Sequence, residues 1–316
     1  MTKDIDLSVV IPIYNEAENL NELIAQLIKV LEGEQKDFEI IFVDDGTDKS
    51  IDIIRDFNLK DNRIKLLKLS RNFGHQLSIL AGIDHAKGKT VITMDADLQH
   101  PPELIPQMLA LMKKGYDVVY TVRQKNMEPG TGRSLLSKSF YWIFNKFTNV
   151  KLDMGSADYR LMNEKAVEAF RQMRELHRFN RGLISWMGFK HIGIPYISPP
   201  RAKGKTKYNL RKKIRFALDG ILSFSSFPLR FACYFGLGVS FLSAIYALWL
   251  IIIKISGETI ILGWTQLIVT VIFFGGLQLF FIGIMGEYIS RIFEEIKKRP
   301  LYIIDETIGV KWLKND

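Results

Sequence analysis

The chain holds a single cysteine among 316 residues, Cys233. With no second thiol, an intramolecular disulfide is excluded, and the apolar span around Cys233 predicts a small buried thiol. Phosphate-binding signatures are missing too. There is no G-x-G-x-x-G fingerprint and no G-x-x-x-x-G-K-[ST] loop, which argues against dinucleotide-dependent enzymes and P-loop nucleotidases. The start, M-T-K-D-I-D, has neither a long apolar core nor a small-residue cleavage site, so the first domain is expected to stay in the cytosol. Acidic residues are outnumbered 34 to 43, giving a net charge of +9. Lys and Arg gather after residue 200, a pattern that suits anionic lipid or phosphate better than nucleic acid.

What is present begins with alternation. Leu7 to Ile13, Phe38 to Val43, Ile64 to Leu69, Thr90 to Met94 and Asp117 to Val122 read as five short strands. The first is a β-branched apolar run of the kind buried on both faces. Between them lie helical patterns, the first with apolar residues at Leu20, Leu23, Ile24, Leu27, Ile28 and Leu31. Thr47 and Asp48 stand ready to cap the second helix, and Pro101-Pro102 opens the fourth at proline's preferred first turn. Such alternation predicts a parallel, doubly wound α/β sheet. Further helices are expected over 130–150, 164–173 and 180–187, with a short strand from Lys190 to Tyr196.

Two strands end in acids. V-D-D-G-T-D covers 43–48, and V-I-T-M-D-A-D-L-Q-H-P-P covers 91–102. Ligands of open α/β sheets bind outside the carboxyl ends of the strands. Hard divalent cations take oxygen ligands and often share them with phosphates. Asp97, Asp95 and the Gln99 amide therefore read as a Mg²⁺ or Mn²⁺ seat for a diphosphate, although Asp-x-Asp is also common in loops and caps. Asp158, in G-S-A-D-Y-R-L-M, reads on its own as a capping residue or an ion-pair partner of Arg160 in preference to a functional acid. The loop S-P-P-R-A-K-G-K-T-K-Y-N over 198–209 is either a solvated linker or a lid that brings Arg201 and Lys207 onto phosphates. His191 is given no role.

The last third changes character. Basic and apolar residues alternate at helical spacing from Leu210 to Phe227, predicting a helix lying in the headgroup layer. Pro228 ends it. Phe231 to Ile253 and Ile260 to Met285 are uncharged, and each exceeds the roughly 20 residues that cross a bilayer's hydrocarbon core. Positive residues flank the pair on both sides, so both chain ends are expected in the cytosol. The resulting division is 1–208 cytosolic α/β domain, 209–229 juxtamembrane helix, 230–290 membrane hairpin and 291–316 cytosolic tail. Gly275-Gly276 allows close helix packing, hence a possible homo-oligomer.

Taken together, V-V-I-P-I-Y-N-E (9–16), V-D-D-G-T-D, M-D-A-D-L-Q-H-P-P-E (94–103), A-D-Y-R-L-M (157–162) and R-x-x-G-x-x-K-Y (201–208) resemble family 2 glycosyltransferases of the polyprenyl-phosphate type. The paired C-terminal spans are similar to the bacterial undecaprenyl-phosphate glucosyltransferase branch. The resemblance implies a glycosyltransferase A fold, Rossmann-like with a mostly parallel sheet, followed by the interfacial helix and two transmembrane helices. By that resemblance Pro12, Tyr14, Glu16, Val43 and Asp45 line the nucleoside pocket, Asp95 and Ala96 contact the donor, and Asp97 and Gln99 ligate the metal. Arg123, Arg201 and Lys207 hold phosphates. Ala157 replaces a common glycine and Thr47 a common serine, and neither change removes a functional group.

The implied reaction moves a hexose, with UDP-glucose as the chosen donor and GDP-mannose as the alternative, onto undecaprenyl phosphate. Because that phosphate arrives largely ionised, Asp158 need only orient the acceptor or take a residual proton, and one in-line displacement inverts the anomeric centre. A processive polysaccharide synthase is disfavoured by the missing Q-x-x-R-W block, for which Arg181 and Trp186 have the wrong spacing. A non-catalytic, membrane-anchored nucleotide-sugar binder is the reading from another class.

Overall fold

The computed structural model describes residues 5–34, 37–124, 141–142, 144–148, 150–199, 220, 222–256 and 263–310. The chain forms two units, Met1–Gly220 with Arg299–Asp316, and Ile221–Lys298.

The first unit is built on an eight-stranded sheet. Its strands are β1 (Leu7–Ile13), β2 (Phe38–Asp44), β3 (Ile64–Leu69), β4 (Thr90–Thr93), β5 (Val118–Gln124), β6 (Ser156–Met162), β7 (His191–Ile197) and β8 (Ile304–Ile308). They lie in the order β7-β5-β6-β4-β1-β2-β3-β8. The middle, β3-β2-β1-β4, is parallel, as expected for apolar runs joined by helices. All seven residues of β1 and of β2 are buried.

Helices α1 (Ala17–Gly33), α2 (Ser50–Lys60), α3 (His75–His85), α4 (Ile105–Lys113), α5 (Glu164–Gln172) and α6 (Asn180–Trp186) accompany the sheet. The spacing in α1 puts Leu20, Leu23, Ile24, Leu27 and Leu31 on its buried side. Before α4 the chain makes one 3₁₀ turn, Pro102–Leu104, where the sequence predicts the helix itself to begin. Helix α3 approaches the sheet so closely that a Cβ on Gly82 would sit 2.2 Å from Val10 Cγ1 and 3.0 Å from Val43 Cγ2.

Two strands go beyond the sequence pattern and make the sheet mixed. β6 runs antiparallel between β4 and β5, with all seven residues buried. Asp158 and Arg160 interrupt its apolar run, which hid it as a strand. β8 comes from the segment read as a tail; it pairs antiparallel with β3 at the sheet's edge. Tyr302 donates to Asp84 Oδ2 (2.7 Å), Arg174 donates to the same oxygen (2.6 Å), and Arg55 donates to Glu306 (2.8 Å).

The second unit contains α7 (Phe227–Ile255) and α8 (Trp264–Ile296). Windows Phe227–Tyr246 and Leu267–Ile296 have mean hydropathies of 1.4 and 2.4, and none of either is buried. At 1.5 Å per residue, both helices are long enough to cross a membrane. Ring contacts such as Phe235 with Phe281 (5.9 Å) join the pair, and Tyr288 donates to the Ser225 carbonyl (2.8 Å). Cys233, expected to be buried, is exposed, because none of the described residues covers that face of α7. Proline 228 stands in the first turn of α7. Most of the predicted juxtamembrane helix, and residues 257–262 between the spans, lie outside the described residues.

Candidate active site

Parallel pairing carries the ends of β1, β2 and β4 to one edge of the sheet, with Ile13 opposite Asp44 and Val10 opposite Thr93. Being antiparallel, β6 brings its first residues there, since Thr93 faces Arg160. The loops after β1, β2, β3 and β4 and the start of β6 therefore share a rim.

The first two loops lock together. Asn15 adopts φ 55°, and its Oδ1 accepts the Thr47 N–H (2.8 Å). A Cβ on Gly46 would lie 2.6 Å from that oxygen, which explains the glycine of Asp-Asp-Gly. Asp48 accepts N–H groups from Ser50 and Ala17 (both 3.1 Å), so it serves two helix starts. Tyr14 is 42 % exposed beside this junction, and Glu16 accepts from Asn19 Nδ2 (2.8 Å). Pro12 and Val43 face each other in register inside the sheet. Val43 is fully covered and packs beneath α3. Asp45 Oδ2 accepts the Gly74 N–H and the Ser78 hydroxyl (both 3.2 Å), and burial raises its pKa against those bonds. Burial also pushes Asp44 up to about 6, helped by Asp48 and Asp45.

The acidic turn after β4 is tight. Asp97 Oδ1 accepts the Gln99 N–H (3.2 Å) while Leu98 is forced to φ 59°. A left-handed leucine costs about 1–2 kcal/mol, and strain of this kind gathers at functional sites. Arg123 Nη1 donates to Gln99 Oε1 (3.4 Å), and Ser198 Oγ to the Gln99 carbonyl (3.2 Å). Asp97 is 9 % exposed and Ala96 3 %.

Asp95 sits between two histidines. Its backbone N–H donates to His100 Nδ1 (2.9 Å), so that nitrogen is unprotonated and the ring's proton lies on Nε2, 3.7 Å from Asp95 Oδ2. His75 Nε2 lies 3.3 Å from Asp95 Oδ1 and 3.8 Å from Asp158 Oδ2. Burial opposes a charge on His75, but the Asp95 and Asp158 carboxylates outweigh it and hold its pKa at about 9. Asp158 does not pair with Arg160. Arg181 of α6 grips it, Nε to Oδ1 at 2.9 Å and Nη2 to Oδ2 at 2.8 Å. Burial alone would raise the Asp158 pKa; Arg181 and His75 instead hold it well below the usual carboxylate range.

Asp95, Asp97, Gln99, Arg123 and Asp158 are thus brought to one rim, linked to Asp45 through His75. Arg201 and Lys207 lie outside the described residues. Among the described residues no group of three or more His, Cys, Asp or Glu could enclose a metal by itself. Two carboxylates and an amide oxygen nevertheless suit a hard cation whose shell a substrate's phosphates complete, and Asp95 Oδ1 is buried with no hydrogen bond, only its ion-pair contact with His75. The residues present fit that role. Sequence reasoning missed His75, His100 and Arg181. The one available signal was position, because S-R-N-F-G-H follows a strand just as the two acidic motifs do.

The family model for glycosyl transferase family 2 matches residues 8–170. The uncharacterized glycosyltransferase YkcC of Bacillus subtilis is 39 % identical over 98 % of this chain and 97 % of its own. A prophage bactoprenol glucosyl transferase homolog of Escherichia coli is 37 % identical over 94 % of this chain and 98 % of its own. The bactoprenol glucosyl transferase of Shigella phage SfII is 36 % identical over 95 % and 98 %. With its acid-lined rim and this match over nearly its whole length, the chain belongs to glycosyltransferase family 2, and it is an enzyme of glycosyl transfer.

Proposed function

We propose that the protein transfers a hexose, glucose from UDP-glucose, to undecaprenyl phosphate at the cytosolic leaflet of the plasma membrane, with inversion at the anomeric carbon. The observation that carries this reading is the rim itself: a strained Asp-x-Asp turn, Arg123 on Gln99, and an ionised Asp158, in a chain with two apolar helices. Relatives named bactoprenol glucosyl transferases along nearly the full length support the lipid acceptor.

Asp97 and Gln99, with Asp95 beside them, would hold Mg²⁺ or Mn²⁺. A bound divalent cation neutralises charge on a departing nucleoside diphosphate. Arg123 adds a guanidinium at the same place, and Arg201 and Lys207 are assigned to the phosphates as well. Tyr14, Glu16 and Asp45 are assigned to the nucleoside. A lipid phosphate monoester has a second pKa near 6, so its oxygen is already a nucleophile at neutral pH. Asp158 then orients: with both oxygens on Arg181 and its pKa depressed, it is a poor proton acceptor. His75, bridging Asp158 and Asp95, ties acceptor side to donor side. Helices α7 and α8 anchor the enzyme where its acceptor resides.

The test is a panel of labelled nucleotide sugars with undecaprenyl phosphate. UDP-glucose is expected to give a chloroform-soluble β-linked product at least about tenfold faster than GDP-mannose. No lipid product from any donor overturns the reading in favour of a non-catalytic binder, and faster transfer from GDP-mannose replaces the sugar.

A further inference from the structure

Arg160 is 3 % exposed, yet among the described residues no carboxylate forms an ion pair with it. Both oxygens of nearby Asp158 are taken by Arg181. Among the described residues Arg160 donates one hydrogen bond, Nε to the Ala157 carbonyl (3.0 Å), and stands 5.6 Å over the Tyr120 ring. Neither Nη group has an acceptor there. Burial lowers its pKa only to about 10, so it is a cation at neutral pH. Four residues earlier in β6, Ser156 is 4 % exposed and its hydroxyl is buried without a partner among the described residues. An unsatisfied buried donor costs about 1–3 kcal/mol, so the Ser156 hydroxyl, with a largely unbonded guanidinium on the same strand, calls for an explanation.

Both line a cavity of about 200 Å³, together with Tyr120, Lys151, Ile184 and His191. One buried water needs roughly 10–15 Å³ of such space, so the room is far too large for a single water. Asp153, also in the wall, accepts the Tyr120 hydroxyl. Lys151 is exposed. The wall therefore offers a forked cation, a hydroxyl and a flexible ammonium, a donor set that matches a tetrahedral oxyanion.

We propose that this cavity is an oxyanion site, in which the Nη groups of Arg160 and the hydroxyl of Ser156 hold a phosphate-type group and Lys151 closes on it. The site is distinct from the Asp97 turn, and it does not depend on the transfer reaction proposed above. Its occupant is a soluble phosphate or the phosphate of a lipid.

The full chain in neutral detergent, without donor, is heated against increasing inorganic phosphate at constant ionic strength. In parallel it is heated with polyprenyl phosphate or with the matching uncharged polyprenol. Wild-type Tm is expected to rise saturably with one of the two phosphates and not with the alcohol. Ser156→Ala and Lys151→Gln are each expected to weaken the apparent affinity at least about threefold, and Arg160→Gln to remove the rise. If Arg160→Gln does not fold, the other two variants decide, since they remove an unpaired hydroxyl and an exposed charge. A rise with inorganic phosphate assigns a soluble ion; a rise with lipid phosphate alone assigns a headgroup. No rise in wild type with either phosphate, or equal rises in wild type and these variants, overturns the site, whatever the transfer assay shows.

Discussion

Arg181 holds both oxygens of Asp158 in a parallel fork, and His75 Nε2 stands 3.8 Å from Oδ2 of the same carboxylate. Arg181→Met would leave Asp158 buried with one imidazolium for company. Breaking such a pair from one side costs a few kcal/mol, discounted here because the Arg181 side chain is 26 % exposed. Thermal unfolding should therefore report a loss of about 2–3 kcal/mol; a loss below about 0.5 would make the pair incidental. Asp44 gives a pH test. Its pKa is about 6 in the folded chain against 3.8 ordinarily, so between these values the folded state binds more protons than the unfolded one. Stability contributed by this residue falls as pH rises from about 4 to 6, and the full penalty stands above that. Asp44 Oδ2 is buried without a donor, so Asp44→Asn should flatten the slope and stabilise at pH 7 by on the order of 2 kcal/mol. An unchanged slope in unfolding curves at pH 4, 5, 6 and 7 would contradict this.

At the scale of elements, β8 closes an edge of the sheet with residues that follow the apolar helices in sequence. It runs beside β3, and the Ser70 N–H donates to the Ile303 carbonyl (2.9 Å), just ahead of the loop that carries Gly74 and His75. Tyr302→Phe removes the donor to Asp84, itself held by Arg174, and should cost about 1 kcal/mol. Deleting residues 301–316 should cost more and expose the edge of β3 to aggregation, readable by light scattering; an unchanged Tm would make β8 dispensable. Elements of this kind mark the limit of what sequence yields. β1 to β4 were legible because strands buried on both faces are continuous apolar runs. β6 was not, because Asp158 finds its partner in Arg181, 23 residues away, and Arg160 is buried with one bond, to the strand's own Ala157 carbonyl. I-D-E-T-I shows no apolar run, and its partner β3 lies more than 200 positions earlier. Asp97 and Gln99 were legible as a motif; His75 and Arg181 were not, since a lone histidine and a lone arginine acquire meaning only through contacts.

For the whole molecule, a family 2 glycosyltransferase unit is joined in one chain to two helices whose described surfaces are largely apolar and uncovered. Water would make that surface costly, at about 25 cal/mol for each Å² of apolar area. A bilayer removes the cost and delivers a lipid acceptor. Acids at the sheet's rim are proposed to hold a cation for the donor diphosphate while a lipid phosphate attacks. Label transfer from UDP-glucose to undecaprenyl phosphate by the reconstituted full chain, measured with Mg²⁺ or Mn²⁺, with chelator, and for Asp97→Ala, decides the matter. Wild type should need the cation, and Asp97→Ala should fall at least about 100-fold with its Tm within a few degrees of wild type. Transfer by Asp97→Ala at the wild-type rate, or wild-type transfer undiminished by chelator, would rule out a catalytic cation held by Asp97.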